Sequence, residues 1–101
     1  NITHMKNIVR RNREIGIPLD VQYVDIDYMD AAKDFTIDAE NFAGLKEYFT
    51  ELNKDGIRTV IILDPGTIDD QIYYTPTIDG IENDVFIKWD DGTTLMKGSC
   101  W

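Results

Sequence analysis

Residues 57–63, Ile-Arg-Thr-Val-Ile-Ile-Leu, limit the fold more than any other stretch of this chain. β-branched residues suit a pleated, packed surface, and here apolar residues fill almost every position instead of every second one. A strand that is apolar on both faces is predicted to be buried on both, the habit of parallel sheets covered by helices. The run ends at Asp64-Pro65-Gly66, where Pro and Gly turn the chain.

A parallel strand needs a parallel neighbour, and Leu19-Asp20-Val21-Gln22-Tyr23-Val24-Asp25-Ile26-Asp27-Tyr28-Met29 supplies one. Side chains alternate along a strand, so Val21, Tyr23 and Asp25 share one face and Gln22, Val24 and Ile26 the other. This run also finishes in carboxylates, although Asp is disfavoured within strands. In parallel α/β sheets and barrels the C-terminal strand ends are where ligand-binding groups gather. The plainer reading is a strand running out into a solvated acidic loop. Asp64 likewise has two readings, a rim carboxylate or a turn former ahead of Pro-Gly.

Helical patterns alternate with the two strands. Residues 3–15 are predicted as a helix with Met5, Ile8, Val9 and Ile15 on one face, capped by Thr3 and closed by Gly16 and Pro18. Residues 28–38 read as a polar loop tucked down by Phe35 and Ile37. Residues 39–53 are predicted as a second helix, with Phe42, Leu45, Phe49 and Leu52 in one stripe, Glu40 and Lys54 matching the macrodipole, and Gly56 at its end. Residues 67–79 read as loop. Residues 85–88 and 94–97 read as a hairpin turned by Asp91-Gly92. The order helix, strand, helix, strand, hairpin implies right-handed parallel βα units. Two such strands need neighbours, so the expectation is a partial (β/α)8 barrel, a fold of about 250 residues when whole. No internal boundary is expected across residues 1–101. The chain opens without Met and stops on Trp101, and both ends read as cut.

The net charge of −9 argues against nucleic acid or an anionic membrane as partner, since phosphates require a basic patch. No run of about 18 apolar residues is present, so no direct membrane contact is expected. A single cysteine, Cys100, excludes an internal disulfide framework. His4 is the only histidine, which leaves Ser-His-Asp, Cys-His and zinc arrangements without support. Asp69-Asp70 and Asp90-Asp91-Gly92 are fragments of a calcium-loop pattern without its full length. Asn1-Ile2-Thr3 matches a glycosylation acceptor too short to carry weight. What remains is carboxylates at strand ends among aromatic residues. That set suits sugars, because carboxylates accept hydrogen bonds from hydroxyls and aromatic faces cover the ring.

The run Ile17-Pro18-Leu19-Asp20-Val21-Gln22-Tyr23-Val24-Asp25-Ile26-Asp27-Tyr28-Met29 resembles glycoside hydrolase family 31, as do Asp34-Phe35-Thr36 and Val60-Ile61-Ile62-Leu63-Asp64-Pro65-Gly66. The later Glu82-Asn83-Asp84-Val85-Phe86-Ile87-Lys88-Trp89 looks most like that family's intestinal branch. The resemblance covers essentially the whole chain. It implies a (β/α)8 catalytic barrel of which these residues form the first helix, second strand and helix, third strand and part of the following loop. It also implies retaining hydrolysis of terminal α-linked glucose, from a disaccharide or oligosaccharide, with no cofactor. The remainder of the barrel is then a partner, and the parent would be extracellular, on a brush-border surface or in the lysosomal lumen.

By the same resemblance Asp25 binds hydroxyls of the glucose in the −1 subsite, Ile26 and Ile62 line that subsite, and Trp101 walls it. Asp27 and Asp64 stand behind them. The family usually reads Gly-Lys-Val-Trp-Pro around that Trp, whereas this chain reads Gly98-Ser99-Cys100-Trp101. The family's nucleophile motif, Trp-Ile-Asp-Met-Asn-Glu, does not occur here, and its acid/base lies beyond that motif. Retaining chemistry needs both carboxylates about 5–5.5 Å apart across the bond, so binding residues without catalytic ones are expected. The alternatives are a non-catalytic acidic module binding carbohydrate or protein, and a metal- or phosphate-dependent barrel. Sequencing the parent transcript separates the first, and a chelator the second.

Overall fold

A computed structural model describes residues 1–99 of the chain, which divide into two compact units, Asn1–Leu63 and Asp64 onward.

The first unit begins with helix α1, Ile2–Glu14, whose N-cap is Asn1 and not Thr3. The Asn1 side chain accepts a hydrogen bond from the His4 backbone N–H at 3.0 Å, which places the start one residue earlier. Met5 and Val9 are buried. Ile8 and Ile15, expected beside them, are 37% and 72% exposed. Ile15 has left the helix and occupies the C-cap, so it no longer follows the helical stripe. Gly16 takes the left-handed φ of 73° expected after the last turn.

Strand β1, Val21–Val24, pairs in parallel with β2, Arg58–Ile61. The register sets Val21 beside Arg58, Gln22 beside Thr59, Tyr23 beside Val60 and Val24 beside Ile61. Parallel pairing was expected, but burial on both faces is not found: Val60, Ile61 and Leu63 are 43%, 44% and 53% exposed. Registered partners point to the same side, so Tyr23 and Val60 share one face, and Tyr23 is 70% exposed. Helix α2, Leu45–Lys54, packs against the other face, and no element of this unit covers the first.

Helix α2 starts six residues later than its apolar stripe predicts. Asp38 caps a turn instead, its Oδ1 accepting from the backbone N–H groups of Glu40 and Asn41 at 2.9 Å each. Gly44, at φ 78°, then reverses the backbone before the helix begins. Glu40 therefore lies outside the helix, while Lys54 sits in its last turn as expected. The hydrophobic core joins Met5 and Val9 of α1, Val24, Tyr28, Met29, Phe42, Leu45, Tyr48, Leu52 and Ile57. Leu52 is the most enclosed, at 2% exposure. Across the outer surface of α1 and α2 the Lys6 ammonium lies 4.9 Å from the centre of the Tyr48 ring.

Phe35 and Ile37 do not tuck down. They are 65% and 51% exposed and line an open apolar cleft of about 550 Å³ with Leu45, Phe49, Ile61 and Leu63. Ala31, Ala32 and Phe35 all have left-handed φ, between 48° and 62°, and the turns they form hold the segment outward.

In the second unit, the predicted loop of residues 67–79 gives way at Thr75 to helix α3, Thr75–Glu82. Pro76 in its first turn is the signal that was available. Buried Thr77 donates to the Ile68 carbonyl at 2.7 Å and ties the preceding loop to the helix. Gly80 lies against the Phe86 ring, where an added Cβ would come within 2.5 Å. The predicted hairpin reduces to one antiparallel bridge, Lys88 to Leu95, with Gly92 at φ 69° in its turn. Asp91 organises that turn by accepting from the Thr93 and Thr94 N–H groups and the Thr94 hydroxyl. These bonds, the Thr94 hydroxyl's foremost, stabilise the anion and hold the Asp91 carboxyl down at about 2.

Candidate functional site

The parallel register decides what gathers at the sheet's C-terminal end. Val24 and Ile61 are partners, so the next residues on each strand, Asp25 and Ile62, emerge side by side. The Ile62 N–H donates to the Val24 carbonyl at 3.1 Å and carries the pairing one step past the strands.

Asp25 is still extended, at φ −86° and ψ −175°, and caps a 3-10 turn over Ile26–Tyr28. Its carboxylate Oδ1 accepts from the Ile26 N–H at 2.7 Å. Among the described residues no hydrogen bond or ion pair engages its Oδ2, and the side chain is exposed. This is an oriented acceptor with capacity to spare. Ile26 and Ile62 are partly buried against the core, offering apolar surface beside that carboxylate. Asp27 is exposed in the same turn. Asp64 opens the second unit and is half-buried there. Asp25, Ile26, Asp27 and Ile62 thus share one rim. Trp101 and Cys100 lie outside the described residues.

Sequence reasoning missed Tyr28. It is 3% exposed, and its hydroxyl donates to the Ile62 carbonyl at 2.8 Å, crossing from the end of β1 to the end of β2. A buried Tyr needs a partner for its O–H, which was the available clue. Its backbone is held as well: the N–H donates to the Asp25 carbonyl at 3.3 Å, and the carbonyl accepts from the Asp38 N–H at 2.8 Å. The sequence places Asp38 at the end of the polar loop. Its bonds to the Asn41 backbone and side chain, and then to Glu40, lower its carboxyl below the ordinary range. Thr36 organises the loop between, accepting from the Asp30 N–H at 2.9 Å and donating to the Lys33 carbonyl at 2.5 Å. Lys33 pairs with the Asp30 carboxylate at 2.8 Å.

Among the described residues no three His, Cys, Asp or Glu side chains converge as a metal site, and no helix is long and apolar enough to cross a membrane. The rim can accept hydroxyl hydrogen bonds at Asp25 and contact an apolar ring face at the two isoleucines.

A family model for the TIM-barrel domain of glycosyl hydrolases family 31 matches residues 1–101. The chain is 46% identical over 85 residues to probable maltase-glucoamylase 2 of Homo sapiens, covering 84% of this chain and 3% of that protein. It is 43% identical over 101 residues to intestinal sucrase-isomaltase of Homo sapiens, covering 96% of this chain and 6% of that protein. A crystal structure of the glucosidase II alpha subunit in an alpha3-Glc2-bound form superposes with a TM-score of 0.83 at 31% identity, over 96% of this chain and 10% of that one. The chain spans from 3% to 12% of the length of such curated relatives. Its two parallel strands and three helices are consistent with part of a barrel. With the family model matched from the first residue to the last, the chain belongs to glycosyl hydrolases family 31, within the TIM-barrel domain.

Proposed function

We propose that this chain is a segment of the catalytic barrel of a retaining α-glucosidase that releases terminal glucose from maltose, maltooligosaccharides or related α-glucosides. In that barrel α1 is the first helix, β1 and α2 the second strand and helix, β2 the third strand, and the second unit part of the loop that follows. Asp25 accepts hydrogen bonds from hydroxyls of the −1 glucose. Ile26 and Ile62 line its pocket, and Asp27 supports the rim. The nucleophile and the acid/base come from residues outside these 101, because the Trp-Ile-Asp-Met-Asn-Glu motif is not among them.

The observation that carries this reading is the pairing of an oriented, exposed carboxylate at Asp25 with Ile62 at the C-terminal end of two parallel strands. That is the end at which barrel enzymes place their sites. The bare face bearing Tyr23 and Val60 supports it further, since a barrel fills that face with side chains from its other strands. The parent is placed in the extracellular space, at a brush border or in the lysosomal lumen; the intestinal sucrase-isomaltase favours the surface placements, while the glucosidase II neighbour is an ER enzyme.

The test is Asp25→Ala in the intact enzyme, assayed on maltose. A hydrogen bond to a charged acceptor is worth about 1.5–3 kcal/mol, so kcat/KM should fall by about one to two orders of magnitude. The loss grows and moves into kcat if the bond tightens as the ring flattens toward its oxocarbenium-like transition state. Asp27→Ala is the comparator, expected to lower yield more than turnover. Wild-type kcat/KM in the folded Asp25 variant would sink the assignment.

A further inference from the structure

Two strands that end side by side can still drift apart beyond their last ladder bond. Here the ladder's final bond is from the Ile62 N–H to the Val24 carbonyl. Past that point β1 breaks into the 3-10 turn that Asp25 caps, while β2 leads on through Ile62. One side chain spans the gap. The Tyr28 hydroxyl reaches the Ile62 carbonyl at 2.8 Å from a ring buried to 3% exposure. The same residue closes the Asp25 turn through its N–H and holds the end of the following loop through its carbonyl. Tyr28 is thus tied to the carboxylate-bearing turn, to the neighbouring strand and to the loop beyond.

We propose that Tyr28 is a positioning residue for the −1 pocket, one that sets the separation between the Asp25 carboxylate and the Ile62 wall. The inference rests on the site reading given above, and it adds a residue that touches no sugar itself. Its physical basis is geometric. Among the described residues the Asp25 side chain is oriented by a bond to the N–H of the next residue alone, so its direction follows the backbone of the turn. That turn is fixed to β2 through the Tyr28 hydroxyl. A displacement of about 1 Å in a reacting constellation can cost on the order of 100-fold, so losing the tether should cost rate even with the core intact.

The experiment uses the intact enzyme, with Tyr28→Phe, Asp25→Ala and the double variant measured on maltose. Phe keeps the buried ring and removes only the hydroxyl. The expected result is about a 10-fold fall in kcat/KM for Tyr28→Phe, beside a shortened thermal inactivation half-life from the loss of one buried hydrogen bond. In the Asp25→Ala background the same change should cost less than about twofold, because the group being positioned is gone. KM is read beside kcat since it is independent of the folded fraction, and a raised KM supports the inference even where the Phe variant accumulates poorly. Normal kinetics for Tyr28→Phe beside an impaired Asp25→Ala overturns the positioning role and leaves the site reading standing. A Tyr28→Phe loss that multiplies fully with Asp25→Ala also overturns it, as the mark of a merely structural residue. An unimpaired Asp25→Ala overturns the site reading and this inference together.

Discussion

Replacing Val60 by Thr should be damaging in the intact enzyme, although Val60 is exposed in its own unit. Val60 lies beside Tyr23 on the sheet face that no element of its unit covers, and it is 43% exposed. Thr has nearly the same shape as Val, so the substitution opens no cavity and its whole effect is the hydroxyl. On an exposed surface that effect stays within about 0.5 kcal/mol. In a closed barrel the same face meets the packed layers of the interior. A hydroxyl enclosed there without a partner costs about 1–3 kcal/mol. Taking about 2 kcal/mol, at about 1.4 kcal/mol per factor of ten, gives a change of roughly 30-fold. A large enzyme unfolds irreversibly, so the suitable assay is the thermal inactivation half-life. Contacts that have broken in the unfolding transition state appear in that rate. The intact Val60→Thr enzyme should inactivate about 10- to 100-fold faster than wild type. An inactivation half-life within twofold of wild type would refute the placement of this face in the barrel interior.

Three more outcomes are expected. The isolated chain should self-associate, because Tyr23, Phe35, Ile37, Val60, Ile61 and Leu63 are each about half exposed or more in the first unit. At roughly 1 kcal/mol of forgone burial apiece they approach the whole margin of a small domain; sedimentation showing a dilute monomer with a sharp cooperative melt would contradict this. The isolated chain should not hydrolyse maltose or a chromogenic α-glucoside, and turnover abolished by Asp25→Asn would overturn that expectation. The Asp91 turn should be acid-sensitive at low pH only: its carboxyl titrates at about 2 when folded against 3.8 ordinarily, so its contribution is full above the ordinary value and fades as pH falls toward 2. Titration of the Asp91 carboxyl by NMR checks this, and an ordinary value would show that the turn's hydrogen bonds do not form.

Much of this chain could be read locally because some signals need no tertiary context. Gly16 and Gly92 occupy left-handed positions that other residues avoid, so the end of α1 and the hairpin turn were legible. The β-branched run at 57–63 named its own strand, and its apolar character named a parallel partner. Motifs along the chain point to the family without any tertiary context. Where local signals competed, the reading failed. The stripe from Phe42 to Leu52 is continuous in sequence, but Asp38 and Gly44 divide it into a capped turn and a helix, and periodicity does not register such a break. Pro76 could open a helix or interrupt a loop, and the packing of Thr77 and Gly80 decides between them.

By itself, the sequence determined which residue types stand at the strand ends and which elements lie between them. Those follow from side-chain alternation and backbone preference, which act over a few residues. Only the tertiary structure decided which of those residues meet. The register placing Asp25 beside Ile62, the reach of the Tyr28 hydroxyl to the neighbouring strand and the bare face of Tyr23 and Val60 all join segments more than thirty residues apart. Such contacts depend on how two elements pack, and no local preference within either element specifies the distance between them.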